Sequence, residues 1–193
     1  MNLENVKKML GDRFSFAADD VYTAIQSVKL PESAYVLDVG TGIGNMAIML
    51  ALHGYQVVTG EPAGDDSVYA GQDWQANAVK AGVRRLIRFE PFDAVNMPFE
   101  KNAFDGVFAL GSLHHVLPEN RFDVMRECVR TAKAGACICF LEPREKLIRM
   151  IQQRDPAHPP AADPSDYIKG LHLNSMSTTG KLFHMYFFKT NNA

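Results

Sequence analysis

The chain alternates between short, almost unbroken apolar runs and longer stretches in which apolar residues recur every three or four positions. The first kind reads as strands buried on both faces, the second as helices that cover them. On this pattern Tyr35–Val39 is a first strand, followed by a helix from about Gly42 to His53, with Gly54 placed to end it. A second strand, Tyr55–Gly60, stops at Glu61. Asp65 or Asp66 can cap a helix running to about Ala81, which Gly82 closes. Arg84–Glu90 is a third strand and Phe104–Leu110 a fourth. Residues 118–133 have helical spacing through Phe122, Met125, Val129 and Ala132, and Ala136–Leu141 is a fifth strand. Ahead of all these, Ala18–Val28 has the spacing of an amphipathic helix through Val21, Ala24, Ile25 and Val28.

The last quarter has a different pattern. Pro156, Pro159, Pro160 and Pro164 mark a loop, and two extended runs, 167–176 and 181–190, are joined by Ser177-Thr178-Thr179-Gly180, a hairpin signal. The expected fold is α/β: a doubly wound, mostly parallel seven-stranded sheet with an antiparallel C-terminal strand. A length of 193 residues fits one domain, with a helical cap over residues 1–30 and an α/β core over 35–190.

Composition narrows the function classes. Hydrophobic residues make up 47% and charged residues 22%, which is ordinary for a globular protein. A net charge of −2 gives no broad nucleic-acid footprint, and Lys80, Arg84, Arg85 and Arg88 read as the solvated end of a helix and the strand after it. The 3 cysteines, Cys128, Cys137 and Cys139, form no CxxC, so neither a disulfide framework nor a zinc site is expected. They read as buried thiols in a reducing, cytoplasmic setting. No signal-peptide core opens the chain, and the longest apolar stretch is broken by Asp38 and glycines, so no membrane partner is expected.

The densest chemical signal comes directly after the first strand. Asp38 ends it, and Gly40, Gly42 and Gly44 stand at alternate positions, with Thr41 between the first two. Lacking a Cβ, glycine lets a ligand approach the backbone, and the N–H groups of the next helix face the same space. These features point to a nucleoside cofactor site. A phosphate-binding loop of the GxxxxGK[ST] kind is absent. Gly42-Ile43-Gly44-Asn45-Met46-Ala47 does satisfy the dinucleotide pattern GxGxxA, and Glu61 can grip a ribose in either family, so an NAD(P)-dependent oxidoreductase stays open on these residues.

Other segments separate the readings. Asp38-Val39-Gly40-Thr41-Gly42-Ile43-Gly44 resembles the DxGxGxG motif of class I S-adenosylmethionine-dependent methyltransferases. The segments Arg88–Ala94 and Met97-Pro98-Phe99 resemble that family's third-strand region. Asn102–Phe108 resembles its fourth strand, Ser112-Leu113-His114-His115-Val116 the segment after it, and Ala132-Lys133-Ala134-Gly135-Ala136 its Leu-Lys-Pro-Gly-Gly stretch. The family order runs from Tyr35 to Lys189 and is most similar to the small-molecule "type 11" branch, which includes quinone-ring methylases.

The resemblance implies a Rossmann-like fold, S-adenosyl-L-methionine as cofactor and S-adenosyl-L-homocysteine as product. It implies that Gly40, Thr41, Gly42 and Gly44 cradle the methionine tail, and that Asp38 attracts its ammonium or else holds the loop in shape. Glu61 would accept from the ribose hydroxyls, Pro62 pack on adenine, Asp93 and Ala94 meet the adenine edge, and Leu110 and Gly111 line the sulfonium. Here the chain departs from the family's usual Asp-Ile/Met-Ser, because Pro62 and Ala63 come after the acid. His114 and His115 stand where a general base could be, although many relatives need none. Phe14, Phe16 and Tyr22 are candidate lid residues, and Glu142-Pro143-Arg144 could meet substrate or form a surface ion pair. A small-molecule acceptor and a monomer or homodimer are expected, with no metal and no nucleic acid. A non-catalytic cofactor-binding subunit is the remaining alternative.

Overall fold

A computed structural model describes residues 2–65 and 70–190. Seven strands form one sheet in the order β3-β2-β1-β4-β5-β7-β6. They are β1 (Tyr35–Val39), β2 (Gln56–Gly60), β3 (Ile87–Phe89), β4 (Phe104–Leu110), β5 (Ala132–Pro143), β6 (Leu173–Thr179) and β7 (Phe183–Thr190). The first five pair in parallel, and β7 runs antiparallel to both β5 and β6. This is the doubly wound seven-stranded sheet that the apolar pattern predicts. The chain builds outward from β1 to β3, then returns to lay β4 on the other side of β1. That reversal opens a crevice at the carboxyl ends of β1 and β4, where open α/β sheets bind ligands.

Alternation along the strands divides the core between the two faces. Val36, Val57, Phe108, Cys139 and Phe187 pack against the helices α1 (Leu3–Leu10), α2 (Asp12–Ser27), α3 (Asn45–Leu52) and α4 (Trp74–Lys80). Their neighbours Leu37, Val58, Val107, Phe140 and Phe188 face α5 (Arg121–Thr131). In α3 every residue from Met46 to Ala51 is buried, so this helix is enclosed on all sides and fixes the glycine turn that leads into it.

Several boundaries differ from expectation for physical reasons. The helix after β1 starts at Asn45 rather than Gly42, because Gly42 and Gly44 have φ of 48° and 85°, outside the right-handed helix. The next helix starts only at Trp74, where Asp73 accepts the Ala76 N–H at 3.1 Å. Asp65 does not cap it, and Asp66 lies outside the described residues. Arg84–Leu86 is a 3-10 turn, held by the Arg84 guanidinium over the Trp74 ring at 4.9 Å, so β3 is only Ile87–Phe89. Pro118–Asn120 is likewise a 3-10 turn ahead of α5, Phe122 is exposed, and Ala132 and Lys133 already belong to β5. β6 extends to Thr179, so the hairpin turns at 180–182 instead of 177–180. Two short amphipathic helices, α1 and α6 (Glu145–Gln152), and the first turns of α2 escape the apolar pattern.

The amino-terminal cap is tied to the far edge of the sheet. Asp20 of α2 is buried and accepts the N–H groups of Lys181, Leu182 and Phe183 at 2.8, 2.7 and 3.0 Å. Gly180 makes room for it, since a Cβ there would fall 2.4 Å from the Asp20 carboxylate.

Candidate functional site

A cleft of about 800 Å³ lies at the carboxyl ends of β1, β2 and β4. Of the residues named from sequence, Gly40, Thr41, Gly42, Glu61, Pro62, Asp93, Ala94, Leu110, Gly111 and His115 line it. Asp38, Gly44 and His114 do not; each stands one layer behind the wall.

The glycine turn is held from below. Asp38 is fully buried, and its Oδ2 accepts the Thr59 hydroxyl at 2.8 Å. With its proton so used, Thr59 Oγ1 can only accept at its 3.0 Å contact with Thr41, so the Thr41 hydroxyl points inward and pins the loop. Asp38 therefore makes the loop-holding contacts, and reaches the cleft only through that turn. Burial raises its pKa to about 8, helped by the nearby Glu61 charge and opposed by the Thr59 hydroxyl and the Ala47 amide. Among the described residues its Oδ1 meets no hydrogen-bond donor of full geometry, although the Ala47 amide faces the carboxylate. The buried Asn45 Oδ1 and Ser112 Oγ, whose residues line the cleft, make no hydrogen bond among the described residues. Gly44, at φ 85°, is the N-cap of α3, and a Cβ there would press Ile48 and Trp74 at 3.1 Å.

The acid after β2 faces the turn. Glu61 accepts the Gly42 N–H at 3.3 Å and the Gly71 N–H at 2.7 Å, one on each carboxylate oxygen. Each oxygen retains a lone pair for a further donor. Gly60 lets this acid come so close to the third strand's exit, because a Cβ at Gly60 would lie 1.8 Å from the Glu90 carbonyl oxygen. Asp93 is exposed at the rim, and its Oδ1 accepts the Val95 N–H at 3.1 Å, a local turn that presents Ala94 to the cleft. Met97 is core, buried away from the cleft. Of the candidate lid residues only Phe16 lines the cleft, half exposed and joined by Asp12 and Arg13 of α2; Phe14 and Tyr22 belong to the core.

The opposite end of the cleft is built from residues far apart in sequence. His114 is buried and its Nδ1 meets Glu142 Oε2 at 2.7 Å, while Glu142 Oε1 accepts the Leu113 N–H at 3.0 Å. Glu142 is thus neither a surface ion pair nor a cleft-facing group, and Arg144 instead binds the Gly180 and Lys181 carbonyls. Arg121, buried, donates to the Val116 and His114 carbonyls and to the Tyr167 hydroxyl, which fixes the histidine turn. His115 stands at the cleft wall, and His158 arrives from the proline-rich loop. One ring nitrogen from each of His114, His115 and His158 lies within 4.8 Å of the other two. Loss of solvent and the neighbouring imidazoles hold His115 well below the usual histidine range, and the same causes lower His158. Burial pushes the thiols of Cys128, Cys137 and Cys139 up, consistent with inert packing.

Asn45, Ser112, Glu142 as a partner of His114, and above all His158 escape sequence reasoning. Only its place in a proline loop beyond a His-His pair hints at His158.

Comparison with known proteins accords with this architecture. The chain is 36% identical over 100 residues to 27-O-demethylrifamycin SV methyltransferase of Amycolatopsis mediterranei, covering 52% of this chain and 35% of that protein. It is 31% identical over 126 residues to ajmaline N-methyltransferase of Rauvolfia serpentina, covering 62% and 42%. The matched segments span 30–42% of the length of these and similar curated relatives. In fold, the chain is similar to the crystal structure of a SAM-dependent methyltransferase from Aquifex aeolicus, with a TM-score of 0.67 at 19% identity over 98% of each chain. A family model described as a methyltransferase domain matches residues 37–140, which run from β1 through the glycine turn, Glu61, Asp93 and the His-His pair into β5. With more than half of the chain inside that match, the chain belongs to the methyltransferase-domain family.

Proposed function

We propose that this chain binds S-adenosylmethionine and transfers its methyl group to a small-molecule acceptor. The observation that carries the reading is the trio of buried polar atoms without a hydrogen bond at the glycine turn, Asp38 Oδ1, Asn45 Oδ1 and Ser112 Oγ. The Asn45 amide oxygen calls for a donor, and Asp38, which burial keeps protonated near pH 7, becomes an acceptor with a negative charge when a cation stands beside the turn. A pyrophosphate brings negative charge and acceptors, and would meet the Glu61 carboxylate unfavourably. An α-ammonium brings donors and a positive charge, and it relieves the desolvation that raises the Asp38 pKa. The residues therefore fit the cofactor that the family resemblance implies, and fit a dinucleotide poorly.

In this reading Gly40, Thr41 and Gly42 receive the methionine tail on their backbone, with Gly44 shaping the turn and Asp38 acting from beneath it. Glu61 accepts from the ribose diol with its spare lone pairs, beside Pro62. Asp93 and Ala94 meet the adenine edge, and Leu110 and Gly111 flank the reacting end. When bound, S-adenosylmethionine supplies an electrophilic methyl on sulfur whose leaving group is a neutral thioether and needs no acid. What remains for the protein is to align the acceptor and exclude water. His115 is neutral near pH 7 and too weakly basic to serve as an effective general base, so it stands at the cleft wall as a neutral imidazole. His114, bound to Glu142, holds that turn. The Amycolatopsis and Rauvolfia relatives methylate small molecules by their names, which supports the acceptor class proposed.

The test is calorimetric titration with S-adenosylhomocysteine, and then transfer of labelled methyl from S-adenosylmethionine to a metabolite extract. Stoichiometric binding and a labelled small product are expected. Binding of NADH in preference to S-adenosylhomocysteine would overturn the reading.

A further inference from the structure

Beside the proposed cofactor site, three imidazoles converge from two separate parts of the chain. His114 and His115 leave β4 on a 3-10 turn, and His158 enters from the loop after α6, 43 positions further on. Their ring centroids are 4.2, 5.0 and 5.2 Å apart. Clustering three imidazoles at a cleft wall offers little as packing alone, since each gives up water around its ring and would resist a second positive charge nearby. It is, however, the donor set that borderline divalent transition metals prefer.

We propose that His114, His115 and His158 bind one divalent transition-metal ion of the zinc type at the acceptor end of the cleft. Zinc–nitrogen bonds of about 2.0–2.1 Å place tetrahedral ligand atoms roughly 3.3 Å apart. The present separations, within 4.8 Å, need rotation of the rings by about an ångström and a half at most. The surroundings are arranged for such an ion. Glu142 occupies His114 Nδ1 at 2.7 Å, which leaves Nε2 as the coordinating nitrogen and supplies the carboxylate that metal-bound histidines usually carry on their second nitrogen. Asp155 faces His158 Nδ1 in the same sense, at 3.7 Å. Both backbones are braced: Arg121 holds the His114 carbonyl, the His158 N–H donates to the Asp155 carbonyl, and Gln152 Nε2 donates to the His158 carbonyl. The carboxylates of Glu142 and Asp155 offset the charge of a dication.

Three protein ligands leave a coordination position open, as in catalytic rather than structural zinc sites. His115 lines the cleft, so that position faces the space beside Gly111 and Ser112. An oxygen of the acceptor would bind there, which makes a hydroxylated or enolic small molecule the substrate class. This last step rests on the methyltransferase reading; the metal site does not.

The experiment uses the full chain without an affinity histidine tag, stripped of metal and titrated with Zn²⁺, and with Co²⁺ as a visible-absorption probe. Binding of one ion per chain is expected, with Co²⁺ bands of a low-coordinate site. His115→Gln and His158→Gln should each weaken it at least about tenfold, and Glu142→Gln by roughly 10–100-fold. His53→Gln and His172→Gln should leave it unchanged. S-adenosylhomocysteine affinity is measured on every protein. Retained S-adenosylhomocysteine binding with no metal uptake, or with uptake equal in all variants, overturns the metal site and leaves the methyltransferase reading standing. Metal uptake without S-adenosylhomocysteine binding does the reverse. If burial makes His158→Gln fail to fold, His115→Gln, exposed at the cleft, decides the question alone.

Discussion

The two ends of the cleft are built by different rules. The end at β1 and β2 is made of short contiguous segments: a strand, a glycine turn and an acid at the next strand's exit, all within residues 38–61. The end at β4 and β5 joins a turn at 114–115, a buried acid at 142 and a loop histidine at 158. The family match stops at residue 140, so it covers the first end whole and leaves Glu142 and His158 of the second outside. On the proposed function, a cofactor shared by a family would be met by local backbone geometry, and an acceptor that differs between members by tertiary contacts, where chains are free to diverge.

Substitutions can separate the two ends. The largest effect is expected at Gly60. A Cβ there overlaps the Glu90 carbonyl oxygen, which cannot swing aside as a side chain would. Gly60→Ala should therefore destabilise by about 3 kcal/mol or more and abolish S-adenosylhomocysteine binding, as read by denaturant unfolding and calorimetry. Next is Glu61→Ala, which removes charge-assisted acceptors that contribute roughly 1.5–3 kcal/mol, so affinity should fall at least about tenfold. Arg121→Ala acts on the other end. It frees the His114 and Val116 carbonyls and should lower turnover several-fold while S-adenosylhomocysteine affinity stays within about twofold. A matching loss of cofactor affinity would show that the ends are not independent.

The smallest expected effect is at Asp38. Its folded pKa, about 8, lies above the ordinary carboxylate value, so the folded state holds a proton that the unfolded chain has released. Stability is therefore greatest below the unfolded pKa, falls as pH rises from about 4 to 8, and is flat above. Asp38→Asn should remove this slope and raise the melting temperature at pH 8 above that of the unaltered chain. The same variant should bind S-adenosylhomocysteine less tightly, because asparagine cannot ionise beside the ammonium as Asp38 can. A gain in both would place Asp38 in a purely structural role.

Legibility in the sequence divides along the same line. β1 and β4 match expectation residue for residue, because each is a short, mostly apolar run closed by turn chemistry. The short helices α1 and α6 are hard to read because eight residues hold barely two turns of period. Helix starts differ from expectation wherever backbone conformation, not polarity, sets the boundary, as at Gly44. In the site, Gly40, Gly42, Glu61 and Asp93 are legible because the roles proposed for them rest on short local motifs. Asp38 is legible as important, but its two-threonine relay through Thr59 and Thr41 depends on strand pairing. The His114–Glu142 contact depends on β4 and β5 lying side by side, and His158 on the path of a proline loop. No local pattern records either.

The most direct test of the cofactor assignment is calorimetric titration of the intact chain and its Glu61→Ala variant with S-adenosylhomocysteine, with NADH run in parallel. The expected result is one S-adenosylhomocysteine bound per chain, at least about tenfold weaker in Glu61→Ala, and no heat from NADH. Equal affinity in both proteins, or heat from NADH alone, would contradict it.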